Sequence, residues 1–466
     1  MYLYNKMTTT REVIQVNPTN LGDGVFSDRN GLNQIIFEIP QMPKIMNGKS
    51  LRVSGKFTLK QGDGTAPSNA TQFFVDNGAG GADPIGDIMI DGRTGLSSVI
   101  ETLSIQNLEG ATYSTIKQYN RLCSSLVPMN ESIASYLNGG VDTLYGGLGK
   151  DVSTAKKVDK TFDFALPILD GFLQGQPIDL QLVKGMRLVI TLAPSNFVIH
   201  NNKWRNSVST SGLDNGGAFY ELSDVLCYFE AESPDAEGQE AMMMNRNGVL
   251  EYNTYSSFYN VLQSNDHNIT LNINTGRTIA TIGNIIPSSW LNNYEYNSSQ
   301  TLQLLTENAG GIFENRVQMD EITFTKGGLR IPLDFELVSR ETQSEGVADS
   351  FKNWESINAI RPSWSVANML KSLRTDLSNP LSDTIQARFS RQRPSFVEED
   401  NRQQYNIGVN YDHITENGLD FRGNPLGIRI QSTLPSGTSI KPHSIFLYIL
   451  HKNTIVFQDG MVNVIS

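Results

Sequence analysis

Gly48-Lys49-Ser50 carries the residue types that end a phosphate-binding loop, in which backbone amides cradle phosphates and the lysine reaches them. That loop needs a further glycine at position 43, where Pro43 stands. It also needs a strand before it and a helix after it, whereas strand-like residues follow Ser50, so the segment reads as a turn entering a strand. The glycine cluster Gly78–Gly81 meets Asp83 where a dinucleotide fingerprint needs its third glycine, and reads as a loop. The histidines are His200, His267, His413, His443 and His451. None pairs at i, i+4 and none neighbours a cysteine, so no metal-ligand spacing exists. Asp266-His267 and Asp412-His413 are acid–imidazole neighbours that read as surface loops, and no nucleophile elbow occurs to complete a triad. Asp334 and Glu336 stand two apart, the spacing of paired carboxylates but equally of a solvated strand face. Glu398-Glu399-Asp400 reads as a solvated loop and Met242–Met244 as gap-filling side chains. Cys123 and Cys227 sit in apolar periodic segments and are expected to be reduced, buried thiols. The expectation is therefore no catalytic, cofactor-binding or metal-ligating residues, and no enzyme.

The elements around these residues are mostly strands. Of 466 residues, 39% are hydrophobic and only 18% charged, with 40 glycines and abundant Asn, Ser, Thr and Gln. Such a composition favours turns and strands over helices. The net charge is −11, with no long basic run; Lys156–Lys160 and Arg388–Arg393 are the densest basic stretches. Nucleic-acid binding by the folded body is not expected. The longest apolar run, Ile445–Leu450, is far short of the ~20 residues that span a bilayer. With no charged and then apolar leader in Met1–Thr10, the expectation is a soluble protein made in a reducing compartment. The sequons at Asn69, Asn130, Asn268 and Asn297 would then go unused.

Alternation of apolar and polar residues predicts strands at Gln34–Ile39, Ser50–Lys60, Val99–Gln106, Thr161–Ile168, Met186–Ala193 and Glu221–Glu230. A second series runs through Val249–Leu262, Asn268–Asn274, Gln318–Thr325, Leu329–Leu337, Tyr405–Val409, Leu426–Ser432, Ser444–His451, Asn453–Phe457 and Met461–Ile465. Turns are expected at Lys452-Asn453 and at Gln458-Asp459-Gly460. Three- and four-residue spacing of Tyr113, Ile116, Tyr119, Leu122, Cys123 and Leu126 predicts a helix over Ala111–Leu126, ended by Pro128. Similar spacing predicts helices over 347–357 and from Ser363 or Ser365 to Leu377. Gln61–Gly95 and Asn130–Asp159 read as long loops. The order is thus doubled: strands, a helix, more strands. The reading is a mainly β chain with an N-terminal arm at 1–30, a first strand-rich half at 31–232, a polar linker at 233–248 and a second half at 249–466. No repeat of 20–50 residues suggests a propeller or solenoid. Two halves of about eight strands each fit two jelly rolls.

Three stretches carry a family resemblance: Glu101–Gly110 running into Tyr113–Leu122, Phe164–Gly171 continuing to Lys184–Ala193, and an expected C-terminal hairpin from Ile445–Leu450 to Ile455–Phe457 closing on Asp459-Gly460. In their order the chain resembles the double jelly-roll major capsid proteins of double-stranded DNA viruses, and is most similar to those of Polinton-like viruses and virophages. The resemblance implies two consecutive upright jelly-roll sandwiches with short inserted helices and long loops. It implies a homotrimer forming a pseudo-hexameric capsomer that tiles an icosahedral shell, assembled in the infected cell and resident in the virion. Its partners would be itself, neighbouring capsomers, and penton and minor or cement proteins, with an internal membrane beneath the shell in some relatives. No sequence-specific nucleic-acid binding and no cofactor are implied. Gln61–Gly95 and Asn130–Asp159 would be outer or intersubunit loops, with the arm and C-terminus facing inward or tying neighbours. The alternative is a receptor- or carbohydrate-binding sandwich such as a spike, adhesin or glycan hydrolase. Trp290, Trp354 and Trp364 would stack on sugars in that case, whereas Trp354 and Trp364 are expected to be buried on helices or at their starts.

Overall fold

The computed structural model describes residues 9–22, 24–29, 32–60, 89–90, 94–130, 161–200, 219–293, 305–307, 315–316, 319–331, 337–339, 406–411, 418–432, 434 and 438–465. The first eight principal strands are β1 (Thr9–Val16), β2 (Gln34–Ile39), β3 (Ile45–Lys60), β4 (Ile100–Gln106), β5 (Thr112–Lys117), β6 (Thr161–Pro167), β7 (Met186–Leu192) and β8 (Phe219–Pro234). They form two antiparallel sheets with orders β1-β8-β3-β6 and β2-β7-β4-β5. The next eight are β9 (Gly248–Leu262), β10 (Asp266–Leu271), β11 (Thr278–Pro287), β12 (Met319–Lys326), β13 (Leu329–Arg330), β14 (Asn406–Asn410), β15 (Leu426–Ser432) and β16 (His443–Gln458). Their orders are β9-β16-β11-β14 and β10-β15-β12-β13. Each strand of the second series thus takes the place held eight strands earlier by its counterpart. A last strand, β17 (Met461–Ile465), pairs with the end of β16.

Period-2 patterning builds these sheets. In β7 and β15 buried and less buried residues alternate without a break, as expected of strands with one face on a core. Two apolar clusters result. The smaller gathers Ile269, Phe324, Ile428 and Ile430 between the sheets of the second sandwich. The larger fills the first sandwich and continues into the second. Strand β16 explains the continuity: Ile445, Leu447 and Ile449 face the smaller cluster, and Phe446, Tyr448 and Leu450 the larger. A strand buried on both faces reads as a continuous apolar run, and this one does. Fully burying each such side chain contributes about 1.5–3 kcal/mol.

Several expectations need correction. Thr9–Val16, read as part of an arm, is strand β1, paired with β8 from Thr9↔Pro234 to Val16↔Cys227. Its buried contribution is limited to Ile14 and Val16, half-buried against the larger cluster, so its apolar signal is short. The stretch read as a linker holds a helix, Ala236–Met244, whose first turn is capped by Asp235 accepting from the Gly238 N–H. The expected helix at Ala111–Leu126 is strand β5 followed by helix α1 (Tyr119–Asn130). The break is Gln118, at φ +54°. Tyr113 and Ile116 are buried strand residues whose spacing, across a register shift against β4, mimics a helical period. Pro128 lies inside the last turn of α1 instead of ending it. Lys452-Asn453 is no turn: β16 runs through it and β9 pairs along its whole length, with Asn253↔Lys452 and Tyr252↔Asn453. The C-terminal hairpin instead joins β16 to β17 at Asp459-Gly460, both at positive φ. Leu329–Leu337 is a strand only at Leu329–Arg330, with a separate short strand at Leu337–Ser339. Residues 347–377, both helices expected there, and nearly all of the two long loops lie outside the described residues.

The connections after the third, fifth and seventh strands of an antiparallel sandwich leave from one end. In the first sandwich these are the long ones, 61–99, 118–160 and 193–218; in the second, 288–318 and 331–405 are long. The opposite end carries short turns such as 107–111 and 327–328.

Candidate functional site

The candidate chemistry of the sequence is dispersed. Gly48-Lys49-Ser50 lies within β3, where Ser50 Oγ donates to Asn47 O and accepts from the Glu230 N–H, holding a bulge. A Cβ on Gly48 would overlap the Leu173 carbonyl, which accounts for the glycine. His443 donates from Nδ1 to Lys441 O at 2.6 Å, and His451 Nε2 lies 2.8 Å from Ser256 Oγ. Burial holds both imidazoles down to about 4, so they are neutral at physiological pH. Half-buried His267 meets Asn260, and Asp266 is paired with Arg429 at 2.6 Å. Cys123 and Cys227 are buried and form no disulfide, and burial pushes the Cys227 thiol up to about 12, which keeps it protonated. Trp290 is buried and offers no face to a sugar. Among the described residues no cluster of His, Cys, Asp or Glu could hold a metal, and no helix is long and apolar enough to cross a membrane. Gly78–Gly81, Asp334, Glu336, Trp354, Trp364, the Arg388–Arg393 and Glu398–Asp400 runs, and His413 lie outside the described residues, as do Asn69, Asn297 and Lys156–Lys160.

What the fold does bring together is a seam between the two sandwiches. Its first side comes from β5, α1 and a single-turn helix α2 (Gly171–Gln174). Its second side is the outer face of sheet β9-β16-β11. Asp170, fully buried, caps α2 by accepting from the Phe172 N–H at 2.9 Å and takes a 2.6 Å bond from Ser114 Oγ. Ser114 Oγ lies 2.9 Å from Thr254 Oγ1 across the seam. The Phe172 ring stacks on Tyr113 at 4.9 Å and meets the edge of Tyr252 at 5.1 Å. The Tyr252 hydroxyl donates to Tyr113 O at 2.6 Å, and burial pushes that phenol up to about 12. A Cβ on Gly171 would overlap the Asn253 carbonyl, so only glycine allows the two backbones this approach.

The seam continues along α1. The Tyr448 hydroxyl donates to Gln118 O at 2.8 Å, fixing the residue at positive φ from which the helix starts. Asn284 Nδ2 donates to Arg121 O at 2.7 Å, and Ser125 Oγ donates to Asn284 Oδ1 at 3.2 Å. The Arg121 guanidinium lies between the Phe197 and Phe446 rings, 4.8 and 4.2 Å from their centroids. Burial lowers it to about 10, so it remains charged at neutral pH and is held by both rings. It borders a seam cavity of about 360 Å³ that also reaches Tyr259 and Leu291. At the short-turn end, a groove of about 830 Å³ runs between Ile45, Leu182, Leu250 and Phe457, rimmed by Arg11, Asp179 and Glu232. This arrangement can fasten one sandwich to another. The seam residues escaped sequence reasoning because their partners are far along the chain: Asp170 takes its bond from Ser114 and Gly171 abuts Asn253.

No protein-family model matches the chain, and no curated protein matches it in sequence. Solved structures do match its shape. The Faustovirus major capsid protein matches with a TM-score of 0.56 at 8% identity, covering 97% of this chain and 91% of that one. PBCV-1 VP54, fitted into a reconstruction of the virophage Sputnik, matches at 0.55 with 10% identity over 99% and 97% of the two chains. A quasi-atomic PBCV-1 virus capsid matches at 0.54 with 10% identity over the same shares.

The fold is the double jelly roll.

Each jelly roll places its first, eighth, third and sixth strands in one sheet and its second, seventh, fourth and fifth in the other. The seam joins the fifth-strand side of the first jelly roll to the first-strand sheet of the second.

Proposed function

We propose that the chain is the major capsid protein of an icosahedral double-stranded DNA virus. Three copies form a pseudo-hexameric capsomer, and capsomers tile the shell of the virion. The observation that carries this reading is the doubled sandwich itself, spanning the whole chain and fastened by an apolar and hydrogen-bonded seam. Two like blocks joined in one chain supply two of six similar sides of a tile. A surface with little charge suits repeated contact between copies, since large like charge would repel neighbours. The protein acts as a building block and carries out no covalent step. Neighbouring capsomers, penton and minor or cement proteins, and in some assemblies a membrane beneath the shell, would be its partners. The acidic balance leaves packaging of the genome to other cations. The bounds 31–232 and 249–466 for the two jelly rolls extend, on this reading, to take in β1 and to set the helix at Ala236–Met244 between them.

The purified chain should elute with a light-scattering mass of three times 51.6 kDa, about 155 kDa. A species that stays at 51.6 kDa at every concentration would count against the reading. Among the described residues nothing favours the glycan-binding alternative: Trp290, the one described tryptophan named for it, is buried.

A further inference from the structure

The seam cavity of about 360 Å³ has the make-up of a ligand site. The first jelly roll lines it with Lys117, Arg121 and Phe197, the second with Phe258, Tyr259 and Phe446. Rings from both sides make much of the wall, and a few polar groups converge on it. That is the anatomy of small-molecule sites between domains, whose volumes start at about 300 Å³. Both walls are held in place by contacts of their own. At the rim Asn196 Nδ2 donates to Asn292 O at 2.6 Å, and the Lys117 N–H donates to Ser257 Oγ at 3.2 Å. Lys117 and Tyr259 are exposed, so the cavity opens to water where they stand.

Charge narrows the ligand. The charged side chains that line the cavity are Arg121, Lys117 and Glu101, two cations and one carboxylate. The Glu101 carboxylate accepts from Gln118 Nε2 at 3.4 Å. The buried Arg121 guanidinium has the Phe197 ring on one side and the Phe446 ring on the other. Its donors are then reachable at its edge, where a fork of N–H groups matches a planar carboxylate. Five donors serve more than one acceptor, so a ligand need not displace a bond within the protein. A net single positive charge among aromatic rings suits one negative charge on a flat apolar body. A dianion would exceed the charge the cavity supplies.

We propose that the seam cavity binds a small aromatic carboxylate, with its ring among Phe197, Phe258 and Phe446 and its carboxylate at the edge of Arg121. Lys117 stands at the mouth and adds a second positive charge. A ligand held there touches both jelly rolls and binds only when they are joined. It therefore raises the unfolding midpoint of the chain as its concentration rises. The inference goes beyond the shell-subunit reading and does not rest on it, because the cavity lies within one chain.

The test is calorimetric titration of the full chain with phenylacetate, paired with unfolding midpoints at rising phenylacetate concentration. Saturable binding of one molecule per chain and a rising midpoint are expected. Phenylacetamide has the same shape without the charge and should bind about tenfold or more weakly, the loss of a hydrogen bond to a charged group. Phenethylamine, a cation of similar shape, should not bind. Leu291→Trp fills the cavity from its rim, keeps all three charges and should abolish binding. Lys117→Met, at the exposed mouth, should weaken phenylacetate and leave phenylacetamide unchanged. Arg121→Lys keeps the charge without the fork and should weaken phenylacetate further. Unfolding midpoints without ligand check that each variant is folded. An N-acetylated tripeptide ending in phenylalanine separates two sources of the same chemistry: tighter binding than phenylacetate assigns a peptide end, weaker binding a free acid. No saturable binding of phenylacetate by the folded wild-type chain, equal binding of phenylacetamide, or undiminished binding by Leu291→Trp would overturn the inference. The light-scattering mass decides the shell-subunit reading separately.

Discussion

Lowering the pH from 7 to 4 should remove on the order of 3 kcal/mol of folding stability for each of two histidines. His443 and His451 lie in β16, and burial holds both imidazoles down to about 4 from the ordinary 6.5. The sign follows from proton counting. Above pH 6.5 both folded and unfolded chains leave these rings neutral, and stability does not depend on them. Between 6.5 and 4 the unfolded chain binds a proton at each ring that the folded chain refuses. Stability therefore falls as the pH falls, and levels off once the folded rings also protonate. Glu12, Glu251, Asp266 and Asp420 are held low by Lys44, Arg277, Arg429 and Arg422, and contribute losses of their own as they protonate. Those losses come at lower pH, around and below the ordinary carboxylate range, so the interval above it reports the histidines. Denaturant unfolding at a series of pH values measures the effect. His443→Asn and His451→Gln keep a donor near the position of the imidazole nitrogen, and the double variant should show a much shallower profile from pH 6.5 to 5, with a residual slope from His267, whose imidazole is also held low by burial. An equally steep profile in that variant would contradict the assignment.

Phe172→Ala should cost about 3–5 kcal/mol, the range for emptying a buried aromatic site. The ring is 1% exposed and packed between Tyr113 of the first jelly roll and Tyr252 of the second. Its loss leaves a cavity in the seam, next to the buried Asp170 carboxylate and its bonds to Ser114 and the Phe172 N–H. Phe172→Leu, which keeps most of the apolar volume, should cost less. Coupling is the sharper readout. Phe172→Ala and Tyr252→Ala remove the two sides of one contact, so their combined cost should fall short of the sum by about 0.5–3 kcal/mol. Additive costs, or a loss under about 1 kcal/mol for Phe172→Ala, would mean that the ring does not join the two jelly rolls. Denaturant midpoints and slopes supply both numbers.

The doubled strand order was legible because each sandwich has one face in water and one on its core. Gln34–Ile39 alternates cleanly and has the bounds expected of it. Where that condition failed, the reading failed too. Along β5 a register shift puts Tyr113 and Ser114 both out of water, and the spacing passes for a helix. Around Lys452-Asn453 the strand passes beyond the second core, so polar residues interrupt it while β9 keeps the pairing unbroken. The run Ile445–Leu450 did carry the mark of a strand covered on both faces, and with it the existence of the seam. The residues of the seam were hidden for a different reason. Asp170, Gly171 and Phe172 look like an ordinary turn before a short helix, and their meaning lies in Asn253, Thr254 and Tyr252, which only the folded chain brings near.

The central claim is that this chain is one third of a six-sided tile, and electron cryo-microscopy of the purified protein tests it most directly. Averaged particles should show three chains in a closed ring, with six similar sandwiches around the axis and every seam alike in position, whether within a chain or between chains. Single two-lobed particles at all concentrations would contradict it.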